Sequence, residues 1–302
     1  MNILKKKTQF KDENQILRFV KKDNYADNFG FQWNIFRKTQ IDNFKTQISK
    51  VRLIKQTQWK KKNFNNNTLT LEAGGGAGRF SQAYLKQFPG RLVSVDLSNA
   101  VESNKKNNIN FFKKKRLLIY QADISKMPFK DNIFDNTFCF GVLQHTPYIK
   151  KTLKELIKKT KKGGSIVVDF YPYKGFWTKI NAKYFLRPFT KRISKKILLL
   201  IIKKSARFFY NIHLVFSYLG LSILTRFLPI CDPKTIPKVI NKSQKMDWII
   251  LDTFDMLSAY YDQPQKISTI SKFFLKNKCK VEFAGYVNYD HGISAVVRAV
   301  KI

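Results

Sequence analysis

The segment 71–80, Leu-Glu-Ala-Gly-Gly-Gly-Ala-Gly-Arg-Phe, limits the folds open to this chain more than any other part of it. Its alternate glycines, Gly74, Gly76 and Gly78, let the backbone turn sharply and approach a ligand, because a β-carbon would collide at such positions. The segment follows a short apolar run and precedes a helix-like stretch. A glycine turn in this context is typical of a nucleotide site at the carboxyl edge of a parallel sheet.

Downstream of the glycines, short apolar runs alternate with helix-like stretches, which indicates a parallel sheet flanked by helices. Two apolar segments near the end of the sequence are joined by a short turn and predict an antiparallel hairpin. The predicted fold class is therefore α/β, with a doubly wound, Rossmann-like and mostly parallel sheet of seven strands that ends in this hairpin. The runs predicted as strands are 69–73, 92–96, 117–122, 134–143, 165–170, 279–286 and 293–300.

Two parts of the chain lie outside this core pattern. Residues 1–67 show neither repeats nor a clear period but contain an aromatic cluster around Trp33, and we predict a helical N-terminal arm docked on the core. The alternation also stops over 173–247, which predicts a helical insertion that serves as a lid or substrate element. The predicted cofactor-binding core therefore comprises 68–172 and 248–302.

The insertion contains an apolar stretch that raises the question of a membrane. Residues 208–225 include no Asp, Glu, Lys or Arg. A membrane-spanning helix needs about 20 mainly apolar residues, but this stretch also carries Asn211 and His213. We therefore expect helices that pack over the active site and make peripheral contact with an anionic membrane through 191–230, rather than a span.

Composition leaves several kinds of partner open. The chain has 57 Lys and Arg against 20 Asp and Glu, and its net charge of +37 attracts polyanions. A solvated lysine coat produced by an AT-rich genome is the plainer explanation of that charge. The N-terminus lacks the uninterrupted apolar run of a signal peptide. Cys139, Cys231 and Cys279 show neither disulfide nor zinc spacing, so we expect a cytoplasmic protein without a metal site.

The spacing of the glycines and of the acids around them selects the cofactor. A dinucleotide fingerprint needs a further glycine where this chain has Arg79, and the lysine of a phosphate-binding loop does not follow the glycines. Glu72 precedes the first glycine by two residues, where an acid suits a cofactor with an ammonium and a sulfonium group. Asp96 ends the second strand, placed to accept both ribose hydroxyls. Asp123 ends the third strand, placed to accept the adenine amino group.

In these motifs the chain resembles the class I S-adenosylmethionine-dependent methyltransferases, in the small-molecule branch that includes ubiquinone- and menaquinone-methylating enzymes. The resemblance covers about 68–172 and returns more weakly from 251 to the end. It implies S-adenosylmethionine as the cofactor. It assigns Glu72, Gly74, Gly76 and Gly78 to the methionine moiety, Asp96 to the ribose, Asp123 and Ile124 to adenine, and Gly141, Val142 and Leu143 to the border of the sulfonium. Leu97, next to Asp96, is also counted among the cofactor-binding residues.

Methyl transfer to a hydroxyl group needs a general base beside the acceptor. His145 follows the fourth strand at the carboxyl edge of the sheet and is the leading candidate; the alternative is that it only packs near the cofactor. His291 in the last turn and His213 in the insertion are the other histidines, for which a structural role is the plainer interpretation. Further residues that could reach the acceptor or cover the pocket are Tyr171, Tyr173, Asp255, Tyr260 and Asp262.

The leading functional hypothesis is a methyltransferase that acts on an oxygen of a small-molecule, glycan or lipid-linked acceptor. Segments 29–40 and 251–262 also look like bacterial methyltransferases that modify glycan or lipid precursors. The basic charge motivates an RNA methyltransferase as the rival hypothesis. Nucleic acid is the less favoured partner, because 143–147 lack the Asn-Pro-Pro-aromatic type of sequence common in base-methylating enzymes. A non-catalytic binding protein that retains the fold is the third possibility.

Overall fold

The computed structural model describes residues 3–5, 10–21, 24–43, 46–289 and 292–302. All nine strands of this part of the chain join one sheet. The strands are β1 (Lys11–Glu13), β2 (Ile16–Arg18), β3 (Leu69–Ala73), β4 (Arg91–Asp96), β5 (Leu117–Gln121), β6 (Phe134–Cys139), β7 (Thr160–Phe170), β8 (Cys279–Tyr289) and β9 (Gly292–Lys301).

The helices lie on both faces of the sheet and in the two segments outside the core. They are α1 (Asp27–Ile35), α2 (Ile48–Thr57), α3 (Arg79–Gln87), α4 (Val101–Asn107), α5 (Ile109–Lys113), α6 (Ile149–Lys159), α7 (Ala182–Thr190), α8 (Lys195–Tyr218), α9 (Lys242–Ser258) and α10 (Ile267–Lys276). Short 3₁₀ turns connect several of them, including Leu143–His145 and Leu224–Phe227.

The strand order is β1-β2-β5-β4-β3-β6-β7-β9-β8. Strands β5, β4, β3, β6 and β7 are parallel, and β9 is antiparallel to both of its neighbours. The order reverses at β3, which pairs with β4 on one side and with β6 on the other. Loops that leave the carboxyl ends of β3 and β6 therefore diverge, and the crevice between them is where open α/β sheets bind ligands.

The mostly parallel sheet and the antiparallel hairpin confirm the predicted fold class, but the sheet has nine strands where seven are predicted. Both additional strands, β1 and β2, come from the arm that is predicted to be helical. Strand β2 pairs in parallel with the edge of β5 at Leu17 and Arg18, and the Arg18 guanidinium donates to Gln121 and Glu102. Strands of three residues are too short to leave a period-2 pattern, so only their pairing reveals them.

Apolar packing holds the arm and the insertion against the core. Strand β3 is buried along its whole length, as expected of a central parallel strand. Helix α1 packs on α4 and α9, and α2 packs on α3. Helices α8 and α9 form an apolar cluster of their own that includes Leu198, Ile202 and Phe254. The insertion therefore reaches the core through α9.

Helix α8 is the longest helix, with 24 residues. Its apolar residues are interrupted by Lys203 and Lys204. Within the ranges that the structure describes, we find no helix whose length and apolar content would allow it to cross a bilayer.

Candidate functional site

A cavity of about 690 Å³ opens at the carboxyl edge of the sheet, where the strand order reverses. Its walls come from the glycine loop after β3, the ends of β4, β6 and β7, helices α1 and α2 of the arm, and helices α7 and α9. Parts of the chain that lie more than 200 residues apart in sequence thus share one site. A volume of this size is in the range of about 300–1,000 Å³ that buries a small organic ligand.

The glycine loop forms one wall of the cavity through Gly74 and Gly76. Gly74 has a φ of +86°, and a β-carbon there would lie 2.3 Å from Cγ2 of Val142, so the loops after β3 and β6 could not approach each other. Gly76 has a φ of +50°, and its β-carbon would point toward the indole of Trp33 at 3.4 Å. The absence of a β-carbon at Gly76 thus lets the Trp33 indole of the arm pack close to the glycine loop.

Glu72 lies behind this wall. Its side chain is 2% exposed, and its Oε2 accepts a hydrogen bond from the Ser81 hydroxyl of α3. Its other oxygen, Oε1, is buried and has no hydrogen-bond partner among the residues that the structure describes. Burial raises the pKa of Glu72 to about 7, against the opposing effect of the bonds from Ser81 and Ser94. The carboxyl group of Glu72 therefore connects β3 to α3 and does not line the cavity.

We expect Glu72→Gln to flatten the pH dependence of stability. Because its pKa is raised, folded Glu72 keeps a proton that the unfolded chain releases above its usual pKa of 4.5. The stability from this group is full below that value and is lost as pH rises through about 7. The loss in the wild type is about 3 kcal/mol for a shift of this size.

Denaturant titrations of the wild type and of Glu72→Gln at several pH values would measure this loss. Glu282→Gln, on the exposed side of β8, is the matched control. An equal pH dependence for the wild type and Glu72→Gln would contradict the prediction.

Asp96 ends β4 and faces the cavity beside the glycine loop. Its Oδ2 accepts from the backbone N–H of Gly76 at 2.8 Å, and its Oδ1 accepts from the N–H and the hydroxyl of Ser98 at 2.8 and 2.6 Å. Burial raises the pKa of Asp96 against these bonds. Three of roughly four acceptor positions of the carboxylate are thus used, which leaves one for a ligand hydroxyl where the sequence predicts two.

The adenine end predicted from the sequence is bordered by Leu97 and Ile124, which both line the cavity. Asp123 lies outside the cavity wall, and its carboxylate accepts from the N–H of Ser125 at 2.7 Å. Tyr25 of the arm closes this end. Burial, together with the negative charges of Asp123 and Asp96, raises the pKa of the Tyr25 hydroxyl. The sequence does not single out Tyr25, because its position opposite these strands depends on how the arm docks.

The loop after β6 lines the cavity next to the glycine loop, through Gly141 and Val142. Leu143, which the sequence places at the sulfonium, is fully buried in the apolar core instead. The N–H of Gly141 donates to Asp169 at the end of β7, and Asp169 also pairs with Arg52 of α2. Sequence reasoning misses both partners of this ion pair, because 117 positions separate them.

The predicted site residues divide into two groups. Those that line the cavity are Gly74, Gly76, Asp96, Leu97, Ile124, Gly141, Val142 and His145. Those that lie behind its walls are Glu72, Gly78, Asp123 and Leu143. Gly78 is the N-cap of α3, and a β-carbon on it would lie 2.2 Å from Oδ1 of Asn104. The residues behind the walls hold in place the loops that carry the cavity-lining residues.

His145 lies on the cavity wall with 7% of its surface exposed. Its Nδ1 is 2.8 Å from the backbone carbonyl oxygen of Tyr261. Because a carbonyl oxygen only accepts, the proton of the neutral ring is on Nδ1, and Nε2 keeps its lone pair. The rings of Phe29 and Tyr171 flank the imidazole at centroid distances of 5.0 and 5.6 Å. The contacts hold the ring in one orientation.

Two acids of α9 face the same cavity. Asp252 accepts from Gln40 at 3.0 Å and from the Trp248 indole at 3.1 Å, and burial together with the charge of Asp255 raises its pKa to about 7. Burial also raises the pKa of Asp255. Its Oδ1 is buried and, within the described ranges, lacks a hydrogen-bond partner. Of these two, the sequence proposes only Asp255 for the acceptor side.

Of the remaining candidates, only Tyr171 is part of the cavity wall among the residues that the structure describes. Asp262 pairs with Lys183 and Arg187, both at 2.8 Å, and these cations lower its pKa although burial opposes them. Tyr260 and Tyr173 are outside the wall, whereas Tyr171 is part of it. His213 lies 3.4 Å from Asp232 within the insertion. His291 lies outside the described residues.

The residues present fit an adenosyl sulfonium compound. Gly76 has backbone that faces the cavity, Asp96 has one free acceptor position, and Leu97 and Ile124 supply an apolar slot.

Comparison with known proteins agrees with this fit. Residues 71–168 match the family model described as a methyltransferase domain. Sterol 4-C-methyltransferase strm-1 of Caenorhabditis elegans is 30% identical over 105 residues, which cover 34% of this chain and 31% of that protein. A tRNA U34 carboxymethyltransferase of Nautilia profundicola is 31% identical over 103 residues, which cover 34% of each chain. The chain thus spans about a third of the length of these curated relatives.

Among solved structures, magnesium protoporphyrin IX methyltransferase from Synechocystis PCC 6803, crystallised with bound SAH, has a TM-score of 0.51. The superposition covers 92% of this chain and 96% of that one at 14% sequence identity. Likeness at this identity shows a shared fold. It covers the arm and the insertion as well as the central sheet, since little of either chain is left out.

Proposed function

The chain carries a class I S-adenosylmethionine-dependent methyltransferase domain, and from this premise we propose that it transfers a methyl group to an oxygen of a small-molecule, glycan or lipid-linked acceptor. The observation that carries the proposal is the hydrogen bond from Nδ1 of His145 to the carbonyl oxygen of Tyr261. That bond leaves Nε2 as a proton acceptor on the cavity wall. An oxygen acceptor needs a base of this kind, because a hydroxyl group is a weak nucleophile until it loses its proton.

When bound, S-adenosylmethionine supplies a methyl group on a positively charged sulfur together with its own leaving group. The residues of this chain have three tasks. Asp96 and the glycine loop hold the nucleoside and the amino acid end. His145 takes the hydroxyl proton on Nε2 while Tyr261 fixes the ring. Phe29 and Tyr171 keep water away from the imidazole, which strengthens the electrostatic interactions around it.

The shape of the remaining cavity supports a larger acceptor with both polar and apolar parts. Beyond the glycine loop, the cavity is lined by Ile230 and Met256, which are apolar, and by Asp255 and Arg187. The buried, unpaired Oδ1 of Asp255 is suited to accept from a second acceptor hydroxyl. The relatives are named for a sterol and for tRNA, so their names do not point to one acceptor class. The proposed acceptor therefore depends on the residues that line the cavity.

The same proposal includes contact between 191–230 and an anionic membrane, where a lipid-linked acceptor would be presented. Helix α8 supports it, since Leu198 and Ile202 face the apolar cluster with α9 while Lys196 and Lys203 are exposed. A helix with one buried apolar side and cations outside is suited to a negatively charged surface.

Incubation with methyl-labelled S-adenosylmethionine and cell extracts separated into lipid, polar-glycan and RNA fractions would test the function. We expect label in the lipid or glycan fraction, and no label there with His145→Ala. Label in the RNA fraction, with affinity that falls steeply as salt rises, would replace the proposal with an RNA methyltransferase. Tight cofactor binding without label in any fraction would favour a non-catalytic binding protein.

A further inference from the structure

The outer side of the insertion exposes an unusual number of large apolar side chains. Seven aromatic residues there have more than half of their surface in solvent: Phe176, Trp177, Phe185, Phe189, Phe208, Tyr218 and Phe227. Exposed aliphatic residues of α8 and of 219–227 continue the patch. We call residues 176–227 the apolar face. A contiguous apolar patch of this kind on a folded domain marks a contact with another molecule or a membrane.

The charge around this face has one sign. Residues 170–231 contain 12 Lys and Arg and neither Asp nor Glu. Lys196, Lys203 and Lys204 of α8 are exposed beside the apolar residues. Aromatic and aliphatic side chains among lysines match an anionic bilayer, in which the rings lie at the acyl boundary and the ammonium groups at the lipid phosphates.

The apolar face and the cavity are two sides of the same elements. In α7, Lys183 and Arg187 line the cavity, whereas Phe185 and Phe189 are 60% and 68% exposed. In the turn Leu224–Phe227, Thr225 and Arg226 line the cavity, whereas Leu224 and Phe227 are 39% and 51% exposed. The wall between cavity and apolar face is therefore one helix thick.

The two parts of the apolar face are also joined to each other. The guanidinium of Arg226 donates to the backbone carbonyl oxygens of Trp177 and Ile180, which precede α7. Helix α8 contacts the turn that contains Arg226. A surface that bound the exposed rings would thus bind elements that form the cavity wall.

We propose that the apolar face inserts into the headgroup region of an anionic bilayer and that the cavity takes its acceptor directly from that bilayer. The first half extends the membrane contact proposed above for 191–230 to the whole apolar face, and it does not require methyl transfer; the second half rests on the proposed methyltransferase function. Charge complementarity selects this occupant, because a second copy of the chain would bring its own Lys196, Lys203 and Lys204 to the same contact. A bilayer that contains phosphatidylglycerol supplies the opposite charge.

Vesicle co-sedimentation tests the first half. We expect the full chain to bind vesicles of phosphatidylcholine mixed with phosphatidylglycerol about tenfold more tightly than phosphatidylcholine alone, and less tightly as salt rises. Phe185→Ser with Phe189→Ser is expected to weaken binding about tenfold. The matched control, Leu275→Ser with Tyr286→Ser, removes two exposed apolar side chains elsewhere and should bind as the wild type does.

The contribution of the lysines to vesicle binding and the depth to which the apolar face inserts can be measured separately. Changing Lys196, Lys203 and Lys204 to Gln should reduce binding to anionic vesicles, whereas the same change at the exposed run 113–115 should not. Brominated lipids should quench the fluorescence of Trp177, which is 61% exposed, and Trp177→Phe should abolish that quenching.

Three results would overturn the membrane contact. These are equal binding by the two double-serine variants, equal binding to both vesicle types, and self-association of the wild type in sedimentation runs that Phe185→Ser with Phe189→Ser removes. The last result would assign the apolar face to a second copy.

Methyl labelling of a lipid extract reconstituted in the anionic vesicles tests whether the cavity takes its acceptor from the bilayer. We expect Phe185→Ser with Phe189→Ser to label the acceptor as the wild type does in detergent but about tenfold less in vesicles. Equal labelling in both settings would overturn entry from the bilayer. An absence of label everywhere, with vesicle binding intact, would remove the proposed function and leave the membrane contact standing.

Discussion

His145→Ala is expected to lower the rate of methyl transfer by about two to four orders of magnitude, the usual effect of a general base. The variant loses the Nε2 acceptor on the cavity wall and leaves the carbonyl oxygen of Tyr261 without its donor. The cofactor end of the cavity, at Asp96 and Gly76, does not change. Single-turnover rates with labelled S-adenosylmethionine would measure the loss, and calorimetry should find the cofactor affinity close to that of the wild type.

Two controls separate a base from a packing residue. Added imidazole should restore part of the rate of His145→Ala, because it can occupy the vacated space and accept the proton, but it would not restore a purely structural contact. His213→Gln changes a buried histidine outside the cavity wall and should keep the wild-type rate. A full rate in His145→Ala would assign the base to another group, such as Asp255, which is also on the cavity wall.

Asp96→Asn is expected to weaken S-adenosylmethionine binding about 10- to 100-fold, the usual worth of a hydrogen bond to a charged acceptor. The amide keeps the size of the side chain and an oxygen that can still accept from Gly76 or Ser98. It removes the negative charge and the remaining acceptor position that faces the cavity. Calorimetric titration would give the dissociation constants of both proteins.

The fold of this variant must be shown to persist, since Asp96 also ties the glycine loop to β4 through the N–H of Gly76. Circular dichroism and the denaturation midpoint serve this purpose. Asp247→Asn, on the exposed side of α9, is a matched removal of one carboxylate and should leave the affinity unchanged. Wild-type affinity in Asp96→Asn would remove the ribose role that we propose for this residue.

The order of the core elements could be predicted from local sequence patterns. The predicted run 69–73 coincides with β3, and the other predicted core strands overlap the observed ones with ends that differ by a few residues. Parallel strands buried on both faces leave continuous apolar runs, and crossover helices leave a 3.6-residue period. The acid at the end of β4 follows from the same pattern, because a residue at the carboxyl end of a parallel strand reaches the ligand edge.

Local sequence patterns could not predict whether the side chain of each site residue points toward the cavity or away from it. Glu72 and Gly78 belong to the motif but support the loop from behind, and Leu143 points into the core. The glycine pattern constrains the backbone, whereas the direction of a side chain beside it depends on neighbours such as Ser81 and Asn104 that come from other elements.

The sequence by itself determined the α/β core, the glycine turn, the carboxylate at Asp96 and the class of cofactor, because each depends on spacing within a few tens of residues. Only the tertiary structure decided that β1 and β2 extend the sheet, that Arg52 pairs with Asp169, and that α7 has one side in the cavity and the other in solvent. These features depend on contacts between distant segments, which form when the arm and the insertion pack on the core. The periodicity of a short sequence segment does not indicate such contacts.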